Sequence, residues 1–214
     1  RLVNKEKFPT KYDAKEFHPI GKHEPLPTPD TWETELSAGK DKKETWERLI
    51  SEKKLGALAM LRNLRNMQQV KVDDKLIKEG LANMKVDRVL PFRFIAAARY
   101  APNFEPNLEE AMFKCLAGHQ KLSGRTVLLV DVSGSMDAEI SDKSDMTRLD
   151  AACGLAMLIR EIAEDARIYT FSDQVWLSPL RRGFALRDAI VSSQEHGGTH
   201  MGEAVEYVNQ NVKY

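Results

Sequence analysis

The stretch Thr126-Val127-Leu128-Leu129-Val130-Asp131-Val132-Ser133-Gly134-Ser135-Met136 decides the fold, because five consecutive apolar or β-branched residues run into one carboxylate and two hydroxyls at alternate positions. Such a run, bounded by Gly124 and Gly134, predicts a strand buried on both faces of a parallel sheet. The oxygens of Asp131, Ser133 and Ser135 then sit at the strand's carboxyl end, where open α/β sheets bind ligands. A few hard oxygen donors on one loop suit Mg²⁺ or Mn²⁺, with water completing the octahedron. The plainer reading is a turn, since Asp and Ser favour turns through side-chain to backbone hydrogen bonds. The surrounding pattern decides between the two.

Downstream, Leu149, Cys153, Ala156, Met157 and the apolar positions of 159–162 recur at helical spacing over 148–163. Residues 167–171 form a second short apolar strand, Ser172-Asp173 turns the chain, 174–177 returns as a strand, and 184–192 is helical. The glycine-rich loop His196-Gly197-Gly198-Thr199-His200 then delivers one hydroxyl just before a helix over 201–211, which makes Thr199 a further loop-borne oxygen ligand. Strands alternating with helices predict a doubly wound, Rossmann-like α/β sheet.

Asp131-Val132-Ser133-Gly134-Ser135, then Phe171-Ser172-Asp173, then Gly197-Gly198-Thr199, in this order, resemble the first half of a von Willebrand factor A-type domain, covering 123–214. The resemblance implies a metal-ion-dependent adhesion site whose ligands are Asp131, Ser133, Ser135 and Thr199. It also implies that Asp173 orients the site through hydrogen bonds. The family pattern goes on to a further strand and an acidic turn, whereas this sequence ends at Asn211-Val212-Lys213-Tyr214. An A-type domain incomplete at its C-terminus, with exposed apolar sheet edges, is therefore expected. Arg1 in first place, with no initiator Met, agrees with a fragment of a longer chain.

Composition narrows the function. The chain has 214 residues, 42% of them hydrophobic, and no apolar run approaches the roughly 20 residues that span a bilayer as a helix. Cys115 and Cys153 lie in helical patterns without other ligands at metal spacing, and read as buried free thiols in a reducing cytoplasm. The zero net charge hides a division: 1–39 carries 6 Lys+Arg against 7 Asp+Glu, 40–125 carries 18 against 11, and 126–214 carries 8 against 14. A basic middle is joined to an acidic end. No P-loop and no GxGxxG occurs. Ser133 and Ser135 have no base beside them, and His119, His196 and His200 have no orienting carboxylate evident in the sequence, so no catalytic residue is assigned.

Residues 1–30 form a Pro-rich irregular arm, with Pro9, Pro19, Pro25, Pro27 and Pro29 preventing any long helix. From Trp32 the pattern turns helical, with segments near 43–51, 54–68, 73–84 and 107–120 that predict an antiparallel, HEAT-like helical array. In 54–68, Leu55, Leu58, Leu61 and Leu64, or Met60 and Met67, mark packing faces, and Arg62, Asn63, Arg65 and Asn66 form the opposite edge. Arg can hold phosphate oxygens bidentately. Further on, Arg88, Phe92, Arg93, Phe94, Arg99 and Tyr100 interleave cations with rings, as single-strand binders do. The plain alternatives are a solvated basic face and core placement of Phe92, Phe94 and Ile95. The candidate RNA contacts are Lys53, Lys54, Arg62, Arg65, Arg93 and Arg99.

Thr31-Trp32-Glu33, Trp46-Glu47-Arg48-Leu49-Ile50, Leu61-Arg62-Asn63-Leu64 and Pro91-Phe92-Arg93, followed directly by the A-type pattern, resemble the TROVE domain of the Ro ribonucleoprotein family. The resemblance implies that 31–122 is the C-terminal part of a ring of helical repeats, closed by the A-type domain. It implies binding of small non-coding, Y-like RNA on the basic outer face and of single-stranded or misfolded RNA 3′ ends in the central hole. Mg²⁺ or another divalent cation is the implied cofactor, an exoribonuclease a further partner and the cytoplasm the location, with no membrane, DNA or catalytic role. The rival expectation is a metal-dependent protein-interaction module whose open coordination position accepts a partner's Glu or Asp, the helical half being scaffold.

Overall fold

The computed structural model describes residues 31–142 and 144–212. The expected arm at 1–30 lies outside the described residues. The first half is helical: α1 (Trp32–Ser37), α2 (Lys42–Ser51), α3 (Ala57–Gln69), α4 (Asp74–Asn83), α5 (Phe92–Tyr100) and α6 (Glu105–Leu116). Three of these helices begin where the sequence supplies a cap. Thr31 forms a capping box with Thr34, the Asp41 carboxylate accepts from Glu44 N, and Asp73 accepts from Lys75 N. Helix α2 packs on α4, α3 on α5, and α4 on α6, burying Trp46, Met60, Leu64, Met67, Ile77, Leu81, Phe94, Phe104, Leu108 and Met112. The Trp32 ring stacks on Trp46 at 5.7 Å and fastens α1 to this layer.

The aromatic, cationic segment 92–100 is a helix, α5, which period counting did not anticipate. Its Phe94, Ile95, Ala97 and Ala98 are buried while Arg93, Arg99 and Tyr100 face out, so core packing and exposed cations share one element. The face of α3 is also rotated relative to expectation. Leu58 is exposed, whereas Asn63 is 4% exposed and satisfied, its Nδ2 donating to Ala59 O at 2.9 Å and its Oδ1 accepting from Asn66 Nδ2 at 3.0 Å.

The second half contains β1 (Leu122–Asp131), β2 (Glu139–Ser141), β3 (Ser144–Thr147), α7 (Arg148–Ile162), β4 (Ala163–Phe171), β5 (Val175–Leu177), α8 (Gly183–Val191) and α9 (Met201–Asn211). Strands run in the order β1-β4-β5, and β2-β3 is a separate hairpin. β1 and β4 are parallel, with Asp131 opposite Phe171, and β5 turns back antiparallel on β4. The sheet is therefore small and mixed. Alternation along β1 sends Leu128 and Val130 into the main core with α7, and Val127 and Leu129 into a smaller cluster with Tyr169, Val175 and Val208 of α9. Helices thus cover both faces, while Leu122, Trp176 and Leu177 on the two edge strands stay exposed.

No break in the core separates the halves, because one cluster runs from Trp46 to Ile190. Helices α5 and α6 pack against α7, and α6 against α8. Glu109 of α6 accepts the Phe184 amide at the start of α8, Oε1 to N 2.7 Å. A carboxylate from one half thereby caps a helix of the other, where the helix dipole favours an anion. Gly183 permits this approach: its φ is +54°, and an added Cβ would lie 1.9 Å from Glu109 Oε1. Arg187 pairs with Glu105 at 3.1 Å, and the Arg182 guanidinium lies 4.7 Å from the centre of the Phe113 ring.

Candidate functional site

The Asp131-x-Ser133-x-Ser135 loop leaves the end of β1 as expected. Asp131 Oδ1 accepts from Ser133 N at 2.8 Å, which folds the loop back on its own carboxylate and leaves Oδ2 available. The Ser133 and Ser135 hydroxyls stand 3.2 Å apart. Two cis ligands on an octahedral Mg²⁺ with bonds near 2.1 Å would be about 3.0 Å apart, so the donor set fits a hard divalent cation. Ser133 is buried and Ser135 exposed, giving the pair one fixed and one accessible hydroxyl. Among the described residues no group of three His, Cys, Asp or Glu side chains is placed to hold a metal. Any cation at this loop would depend on hydroxyls.

The Thr199 loop reaches this site through its backbone: Gly134 N donates to Gly197 O at 3.1 Å. It hangs from the end of β4. The Ser172 hydroxyl lies 2.7 Å from Gln194 Oε1 and 2.8 Å from Glu195 O, His200 N donates to Ser172 O at 3.0 Å, and Asp173 Oδ1 accepts from Gly198 N at 2.7 Å. Asp173 thus orients the loop from outside. A Cβ at Gly197 would fall 1.7 Å from Asp173 Oδ2, so a larger residue there would push the Asp173 carboxylate off the loop. Thr199 itself is exposed. His196 faces Asp137 at 3.3 Å and His200 faces Glu203 at 3.2 Å, so both histidines line the rim of the loop pair.

Of the six candidate RNA contacts, three converge. Arg62 of α3 with Arg93 and Arg99 of α5 line one groove of about 440 Å³, closed on its far side by Ser144, Asp145 and Met146 of β3. Tyr100 lines it too, and Arg65 lies over the Tyr100 ring at 5.4 Å from its centre. Arg93 lies over Phe92 at 5.2 Å. Among the described residues Arg62 and Arg93 have no carboxylate partner, so both cations are available to a phosphate. Arg99 is differently employed: it donates to Asp150 Oδ2 at 2.8 Å and to the Asp145 carbonyl, tying α5 to the acidic half.

Lys53 and Lys54 lie apart from this groove. They line a cleft of about 470 Å³ between α2, α3 and α4, together with Lys85 and an apolar wall of Ile50, Leu55, Met60 and Leu76. Lys53 ends α2 in the left-handed region, φ +54°, a position that usually favours glycine. Lys54 bonds Glu52 at 2.9 Å, and that hydrogen bond holds the Glu52 carboxyl below its ordinary pKa.

Two participants were not anticipated, Asp145 and its hairpin β2-β3. Only Ile140 and Met146 are apolar in an otherwise polar stretch, so no strand alternation marks 139–147. The Tyr100 hydroxyl donates to Asp145 Oδ2, and this bond raises the tyrosine's pKa above its ordinary value.

A family model described as TROVE domain matches residues 1–153, more than half of the chain. The chain belongs to the TROVE family. Among curated relatives, Telomerase protein component 1 of Rattus norvegicus is 33% identical over 102 residues, 45% of this chain and 4% of that protein. The Mus musculus protein of the same description is 39% identical over 83 residues, 36% of this chain and 3% of that protein. A crystal structure of the Deinococcus radiodurans RO (RSR) protein matches with a TM-score of 0.57 at 22% identity, covering 78% of this chain and 39% of that one. At that identity the match speaks for the fold. This TROVE chain spans only a small part of the curated relatives' length and about two fifths of the solved structure.

Proposed function

We propose that the chain is an RNA-binding part of a ribonucleoprotein that handles small non-coding RNA or takes part in RNA quality control. The observation that carries this reading is the convergence of Arg62, Arg93 and Tyr100 on one groove, two cations without carboxylate partners among the described residues beside an exposed ring. Such a groove tracks a phosphate backbone while a base stacks. Y-like RNA and single-stranded 3′ ends are the expected ligands, and an exoribonuclease acting on such ends a further partner. The cation, Mg²⁺ or Mn²⁺, is held by Asp131, Ser133, Ser135 and Thr199 in an A-type domain, and its role is structural or adhesive, not catalytic. The buried free thiols of Cys115 and Cys153 support a reducing compartment, the cytoplasm. The test is RNA affinity across a salt series for wild type and Arg62→Ala/Arg93→Ala. Loss of two phosphate contacts on a single strand should weaken binding and flatten the salt slope by about 1.4. Unchanged affinity and slope would remove the groove from the footprint.

The exposure of Ser135 and Thr199 supports a second reading, an adhesion-type module whose cation accepts a carboxylate from a protein partner. Nucleic acid accompanying the purified protein, seen as a high ratio of absorbance at 260 to 280 nm, favours the first reading. Mg²⁺-dependent capture of a protein without RNA favours the second.

A further inference from the structure

The arginine groove contains one group that a phosphate tracker has no use for: the Asp145 carboxylate, facing Arg62, Arg93 and Arg99 across the same space. A negative charge there repels phosphate and costs affinity for any polyanion. It is nevertheless held firmly in place. Arg99 fixes the Asp145 carbonyl and also pairs with Asp150, whose own carboxylate accepts from Thr147 N at 2.8 Å in the capping box of α7. The Tyr100 hydroxyl takes Oδ2, and Oδ1 is left with no partner among the described residues. An ionised carboxylate only accepts hydrogen bonds. A fixed, exposed acceptor inside a basic groove selects for a donor.

We infer that Asp145 is a specificity-determining residue of the groove, accepting a hydrogen bond from an O–H or N–H donor of the bound nucleotide while Arg62 and Arg93 hold its phosphates. This rests on the RNA-binding reading given above. Two nucleotide groups carry the required chemistry, the ribose 2′-hydroxyl, by which proteins tell RNA from DNA, and the exocyclic amino group of a base such as cytosine, a known partner of Asp. Tyr100 positions the carboxylate through its hydroxyl.

The experiment is fluorescence anisotropy of the whole chain with short labelled oligouridylate, oligocytidylate and their deoxy counterparts. The readout is the ratio of affinities between probes, which cancels the uniform gain from removing a negative charge. Asp145→Ala should collapse the preference about tenfold. Loss confined to the two ribose probes assigns the 2′-hydroxyl, and loss confined to the two cytosine probes assigns the amino group. Asp142→Asn, an equal charge change on the same hairpin, should leave every ratio intact, and Tyr100→Phe should reproduce part of the loss. Unchanged ratios among the four probes, whatever the common change in affinity, overturn the inference. If wild type binds and Arg62→Ala/Arg93→Ala weakens it while Asp145→Ala keeps every ratio, only this inference falls. If no variant binds any probe, the RNA-binding reading falls with it.

Discussion

At the level of single residues, two glycines lie against carboxylates, and one of them, Gly183, also has a left-handed backbone. Gly183→Ala would combine a left-handed backbone with a collision against Glu109, and Gly197→Ala would collide with Asp173. Gly183→Ala is expected to destabilise the protein by about 1–3 kcal/mol in urea unfolding. Cys153 makes a chemical prediction. Burial pushes its thiol up to about 12, so the folded protein should resist alkylation at Cys153 under mildly alkaline conditions, where an ordinary thiol reacts. A folded pKa above the unfolded value of 9.0 means that this group favours folding fully below pH 9 and loses that contribution as the pH climbs toward 12. Alkylation rates followed by mass spectrometry, with and without denaturant, check the first claim. Fast labelling in the native state would contradict the burial.

At the level of elements, the long periodic helices were legible: 201–211 coincides with α9, and 148–163 differs from α7 by one residue. The position of the Asp131-x-Ser133-x-Ser135 loop at the end of β1 was legible as well, since the three residues are neighbours in sequence and their oxygens must share one turn. The groove was not. Arg62, Arg93 and Asp145 meet only through packing of α3, α5 and β3, and sequence spacing has no access to such a meeting. Helix α5 was obscured because Phe94, Ile95, Ala97 and Ala98 bury themselves among cations, and β3 because a strand of Ser-Asp-Met-Thr buries one side chain, Met146. Helix α7 offers a clean test. Thr147 supplies the side chain of its capping box, so Thr147→Ala should cost about 1 kcal/mol and loosen the Asp150 to Arg99 tie. Faster amide exchange confined to β3 and the first turn of α7 would reveal this, and unchanged exchange would argue against the cap.

At the scale of the whole molecule, the continuous core predicts one cooperative unfolding transition by calorimetry, in spite of the change from helices to sheet near residue 122. Two resolved transitions would show that the halves melt independently. Millimolar Mg²⁺ should raise the midpoint if it binds the native loop, by linkage of about 2.7 kcal/mol at a hundredfold excess over the dissociation constant. Ser133→Ala should abolish that rise and leave the metal-free midpoint nearly unaltered. The Glu109 to Phe184 bond adds a consequence for dissecting the protein. Scissors applied at the connector before β1 would leave α8 without the anion at its first turn and strand a carboxylate against an apolar face. The point where helices give way to sheet is therefore no boundary between separable parts, and a useful truncation must keep α6 with the sheet.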